Sequence, residues 1–172
     1  MQQLRDRMSR VGQSYAPHEH RPLGGYVAAM GAFSALAASL ATAAKVTGKP
    51  VPERPALGDV VLLSLATHKL SRLLAKDAVT SPLRAPFTRY TEPAGAAELN
   101  EEVRHDSTHK HGIGELIPCP YCLAVWVATG LTGGLVLAPR LTRLAAVTLT
   151  ATAVSDFLQM GYDVAKHAAE GD

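Results

Sequence analysis

A chain of 172 residues with 17 Lys and Arg against 15 Asp and Glu is long enough for one full core and carries a formal net charge of only +2. So slight a charge, with aromatic residues at 5%, argues against a nucleic-acid partner bound through phosphates and stacked bases. The apolar share of 47% is ordinary, but Ala, Leu and Val gather into a few nearly charge-free runs with the charges crowded between them. That is the pattern of a small polytopic membrane protein rather than a soluble globule.

Residues 1–25 form a basic amino-terminal segment with Arg5, Arg7, Arg10 and Arg21. Charges of both signs, and no short apolar core ending in a cleavage site, set it apart from a signal peptide. Residues 3–12 suit a short amphipathic helix on a membrane surface, broken by Pro17 and Pro22, and His18 and His20 in that break read as solvated side chains. The first span is expected over 26–46, charge-free until Lys45 and long enough to cross a hydrocarbon layer of roughly 30 Å. Tyr26 suits an interface. Ala28, Gly31, Ala35 and Ala38 make a small-residue stripe that lets another helix approach closely.

After a Pro-rich loop, a second helix is expected over 57–76, with Asp59 as a plausible N-cap. Its first half is apolar, and its second half carries His68, Lys69, Arg72 and Lys76. With the basic side chains snorkelling to the interface the whole helix is long enough to span. Four spans with both termini in the cytoplasm put 12 of the 17 basic residues inside and five outside, as the positive-inside tendency favours.

Residues 77–116 are then a cytoplasmic loop, long enough to be functional in its own right. Ser81-Pro82 reads as a helix start, with Leu83, Phe87 and Tyr90 on one face resting on headgroups and Arg84 and Arg89 off it. Residues 94–104 read as a short acidic helix with Glu98, Glu101 and Glu102 turned to water. No carboxylate there has a partner suited to acid–base work.

At Gly114-Glu115-Leu116-Ile117-Pro118-Cys119-Pro120-Tyr121-Cys122 this polar, His-rich loop turns into a long apolar helix, with both cysteines of the protein at the junction. His105 and His109 lie four apart and Cys119 and Cys122 three apart, spacings that match the two halves of a tetrahedral zinc site. Against zinc, one Cys-x-x-Cys is half a site, and Gly112 and Gly114 leave the histidines unfixed. Cys119-Pro120-Tyr121-Cys122 is also, letter for letter, the dithiol motif of glutaredoxins, whose first thiol is activated at a helix N-terminus. Nothing before it reads as a strand, and no βαβ pattern surrounds it. A third reading makes the cysteines small residues packing a helix entry.

The third span is expected over 120–137, where Gly130 and Gly134 form a GxxxG for close helix contact. The fourth runs over 141–162, leaving a tail at 165–172. Asp156, a costly carboxylate at membrane depth, is expected to pair with His68 or Arg72 of the second helix as a structural clamp.

The runs Ala66–Leu74, Asp77, Thr80–Phe87, Gly114–Leu116 and Cys119–Leu123 with Trp126 together resemble the small bacterial membrane proteins of the domain of unknown function 1360 family, over about residues 23 to 164. The amino- and carboxy-terminal flanks are similar to actinobacterial members. The resemblance implies an integral membrane protein without an assigned activity, and a family pattern that includes the cysteine pair but not the histidine cluster.

The expectation is therefore an all-α, four-helix membrane domain over 26–164 whose cytoplasmic loop carries short interfacial helices. Its partners would be the lipid bilayer and either a second copy or another membrane protein. Its role would be non-catalytic assembly, without phosphate loop, activated nucleophile or cofactor. The alternative is a membrane-anchored dithiol or Cys/His zinc site facing the cytoplasm.

Overall fold

The computed structural model of the chain describes residues 11, 14–16, 18, 23–104 and 108–171. It is mostly helical. Four long helices, α1 (Leu23–Val46), α2 (Leu57–Ala75), α5 (Pro120–Leu137) and α6 (Pro139–Glu170), fall where the apolar runs place them. The shorter α3 (Ser81–Arg84) and α4 (Thr108–Leu116) lie between α2 and α5, separated by strands β1 (Thr88–Gly95) and β2 (Glu98–Val103). Among the described residues three helices are long and apolar enough to cross a membrane: α1, α5 and α6. The fourth, α2, has 19 residues but carries Asp59, Lys69 and Arg72. α6 continues to Glu170, so most of the expected tail is helix.

The all-α expectation is corrected by β1 and β2, an antiparallel hairpin that occupies the segment read as an acidic helix over 94–104. Ala, Glu and Leu favour a helix locally, but strand preference follows what a side chain packs against. Here Glu101 turns inward onto Arg84 and is 5% exposed in its side chain. Of the two arginines expected off the apolar face after Ser81-Pro82, Arg84 is turned inward. Leu83 and Tyr90 are exposed, while Arg84 is wholly buried.

Two compact units result, Met1–Ala38 with Leu74–Leu123, and Ser39–Leu73 with Ala124–Asp172. In the first, β1 and β2 meet through a two-residue loop, with Gly95 opposite Glu98. Ala97 in that loop sits at φ 63, left-handed backbone that usually calls for Gly. The hairpin is tied to the chain leaving α2, since Leu99 N–H donates to Lys76 O (2.9 Å) and Ala78 N–H to Ala97 O (2.8 Å). Helix α4 enters the same unit through its glycines. A Cβ on Gly112 would come within 2.7 Å of Gly25 Cα, and one on Gly114 within 2.6 Å of Val103 Cγ1. Both glycines, read as loosening the histidine segment, are points of close packing.

In the second unit α2 runs parallel beside α6. Arg143 grips Asp59 with two hydrogen bonds of 2.8 Å, Thr150 donates to Leu62 O at 3.0 Å, and Lys69 reaches Asp156 at 2.7 Å. The buried residues on these helices within the unit are small: Ala66 and Ser71 on α2, Ala146 and Ala153 on α6. Small side chains let helix backbones approach where apolar burial gives no drive between helices.

Candidate functional site

The junction of α4 and α5 is a three-residue connector, Ile117-Pro118-Cys119. Cys119 takes the N-cap position of α5. Its carbonyl accepts from Leu123 N–H at 3.0 Å, its own N–H donates to Leu116 O at 3.3 Å, and Pro120 opens the helix, where a missing N–H costs nothing. The sulfur completes the cap. Cys122 N–H points at Cys119 Sγ, 3.2 Å away, so one of the four orphan donors of the helix start is met by a thiol sulfur. Both cysteines are free, Cys119 half-buried and Cys122 exposed. Close by, the Tyr26 hydroxyl donates to Glu115 Oε2, fixing the start of α1 to the last turn of α4.

The histidine half of the zinc reading falls on residues of which little is described. His105 and the side chain of His109 lie outside the described residues, with the backbone of His109 in α4. Among the described residues no three His, Cys, Asp or Glu side chains stand together as metal ligands would.

A second centre, which the residue patterns did not single out, lies around Arg84. All five of its N–H donors are used. Nε and Nη2 grip the two oxygens of Glu101 at 2.9 Å each, and Nη1 reaches Leu74 O (2.9 Å) and Thr80 Oγ1 (2.7 Å). Nη2 also reaches Asp77 O at 3.0 Å. Leu74 O is one of the carbonyls that the end of α2 leaves without a partner, and a cation there also suits the helix dipole. The Thr88 hydroxyl lies 2.9 Å from Arg84 O and 2.7 Å from Glu101 Oε2, and its single proton serves one of them at a time. Burial alone would raise the Glu101 carboxyl. Hydrogen bonds from Arg84 and Thr88, with the charges of Arg84 and Lys76, outweigh it and hold the group below its ordinary value. The signal that could have found this centre is the run Thr80–Phe87, one of those carrying the family resemblance. Periodicity placed Arg84 on a wet face.

The intrahelical acid, Asp156, meets Lys69 rather than His68. His68 instead stacks on Phe157, ring centroids 5.6 Å apart, and Arg72 on the same helix is an engaged cation. Lys69 was legible only as a snorkelling side chain, because at i and i+1 on a helix neither neighbour can be preferred without knowing how the partner helix is rotated. Of the small-residue positions, Gly134 packs against Thr142, and Gly133 against Leu40. Gly31 and Gly130 face open space, and Ala35 is exposed.

Compared with known proteins, the chain matches no solved structure. It is 39% identical over 71 residues to the "Sporulation protein YjcA" of Bacillus subtilis (strain 168), an alignment covering 40% of this chain and 60% of that protein. A family model described as "Protein of unknown function (DUF1360)" matches residues 62–162, from the middle of α2 through the hairpin and the cysteine junction into α6. More than half of the chain is matched, and the chain belongs to that family.

Proposed function

We propose that the chain is a four-span protein of the bacterial cytoplasmic membrane, with both termini and the hairpin in the cytoplasm. In this reading it acts without catalysis, by assembling with a second copy or with another membrane protein. The observation that carries the membrane arrangement is the register of α2 against α6. Asp59–Arg143 at one end, Leu62–Thr150 between and Lys69–Asp156 at the other run the two helices side by side in the same direction, as the second and fourth spans of a four-span chain must run. If α6 crosses a bilayer, α2 crosses with it. The charges that make α2 a poor span by composition are the ones held in pairs. Asp59 and Lys69 are separated by about 15 Å of helix, half of a hydrocarbon core of roughly 30 Å, a depth at which unpaired charge is expensive.

The assembly role is supported by where the small residues point. A Cβ on Gly31 or Gly130 would meet nothing within 4 Å, and Ala28 and Ala38 are exposed. On spanning helices such faces favour close approach by a further helix. The likeness to a sporulation protein supports spore formation as the process served.

Oxidative cross-linking in native membranes tests the assembly. In a Cys119→Ser/Cys122→Ser background, Gly31→Cys or Gly130→Cys should give a covalent adduct with a second copy or another membrane protein. Met30→Cys, exposed on a different face of α1, should give none. Adduct levels no higher than those of Met30→Cys would contradict the reading.

A further inference from the structure

Two sulfurs at one helix start are more than the assembly reading uses. We propose that Cys119 and Cys122 form a reversible dithiol–disulfide pair that exchanges with disulfide-bearing substrates at the membrane surface, with Cys119 as the attacking sulfur. The two cysteines sit three apart, in and just before the first turn of α5, and neither is committed to another bond. Residues so spaced on a helix lie about 5–6 Å apart, close to the separation a disulfide spans.

The two sulfurs are not equivalent. Cys119 Sγ accepts the Cys122 N–H at 3.2 Å and lies at the positive end of an 18-residue helix. A backbone donor aimed at sulfur stabilises the thiolate more than the thiol, and the dipole of an apolar helix acts in the same sense. Cys122 sits inside the helix, at its third position rather than at the cap. It is nonetheless exposed, and can turn toward a sulfur bound at Cys119. Pro118 and Pro120 flank Cys119, and Pro120 lacks the N–H that would otherwise compete at the cap.

The exchange balances without a metal or cofactor. The Cys119 thiolate attacks one sulfur of R–S–S–R′. That bond breaks, R′S⁻ leaves and takes a proton from water, and Cys119 is left joined to R. Cys122 gives its proton to water and attacks Cys119 Sγ. The Cys119–Cys122 bond forms and RS⁻ leaves and is protonated in turn. Two electrons have passed from the dithiol to the substrate disulfide, and an external dithiol returns them by the same steps reversed.

The test uses the full chain in detergent micelles, with reduced and oxidised glutathione mixed in varying ratio. Acid quenching, thiol alkylation and intact-mass measurement then report the state of each sulfur. Wild type should pass between a two-thiol form and an internally bridged form without retaining glutathione. Cys122→Ser should accumulate glutathione on Cys119, and Cys119→Ser should react at Cys122 at least about tenfold more slowly. Alkylation rates of the two cysteines in the reduced wild type, read by peptide mapping, give the same ranking without any substitution. Three outcomes overturn the proposal: glutathione on both wild-type sulfurs without a bridge, equal rates at the two cysteines, or thiols that stay reduced at every ratio.

Discussion

Arg84 and Lys69 are both cations drawn away from water, and the two units of the molecule treat them differently. Arg84 has no exposed side-chain surface and spends five donors on one carboxylate, two backbone carbonyls and a hydroxyl. Lys69 keeps 21% of its side chain exposed and reaches one oxygen of an Asp156 that is itself 48% exposed. A planar guanidinium can hold several chain segments in fixed directions, whereas an ammonium on a flexible stem neutralises one charge and can move with it. The first unit therefore has a rigid polar hub where the end of α2, α3 and the hairpin meet. The second has an adjustable clamp between two helices.

Removing the hub should give the largest effect. Arg84→Met strands the buried Glu101 carboxylate and frees Leu74 O and Asp77 O. The protein should then lose about 3–5 kcal/mol of stability to unfolding in micelles, with loss of amide protection across the hairpin. Arg84→Lys should recover only part of it, because an ammonium cannot repeat the two-point grip on Glu101. Equal stability of Arg84→Lys and wild type would erase the contrast between the two cations.

Acid probes the same hub without substitution. The folded Glu101 binds its proton less readily than an ordinary glutamate, whose value is 4.5. Its contribution is therefore complete above that value and drains away as pH falls through the lower folded value. Hairpin amide exchange followed by NMR should quicken over that range in wild type, and Glu101→Gln should remove this component. Protection that does not change below pH 4.5 would mean the carboxylate is not held as described.

The clamp should be weaker. A double-mutant cycle on Lys69→Ala and Asp156→Ala should return a coupling of roughly 0.5–1 kcal/mol, since both groups are partly exposed. A coupling as large as the loss at Arg84 would put the two regions on the same footing. The smallest effect sharpens the description of the hairpin. Ala97→Gly relieves a left-handed alanine at φ 63 and should stabilise by about 0.5–1 kcal/mol in thermal unfolding. Destabilisation would show that the turn is held otherwise.

The same contrast explains what could be read from the chain alone. Helices α1, α5 and α6 are legible because an apolar run of spanning length has few other uses. Cys119 at a helix start follows from two flanking prolines and the apolar run beyond. The hairpin was not legible, since Ala94 to Arg104 favours a helix by composition. Only the distant partner Arg84, turning Glu101 inward, makes it a strand. Lys69 escaped for a related reason. Three polar residues within two turns of α2 compete for Asp156, and the choice rests on helix rotation, which one sequence does not encode visibly.

The central claim is that α2 crosses the membrane beside α6, so the loop before it and the hairpin after it face opposite compartments. In a Cys119→Ser/Cys122→Ser background, Val51→Cys before α2 and Ala96→Cys at the hairpin tip can be challenged with a membrane-impermeant maleimide. Both positions are exposed. The account predicts labelling of Val51→Cys in intact cells and of Ala96→Cys only after the membrane is opened. Labelling of both from the outside, or of neither until the membrane is opened, would contradict it.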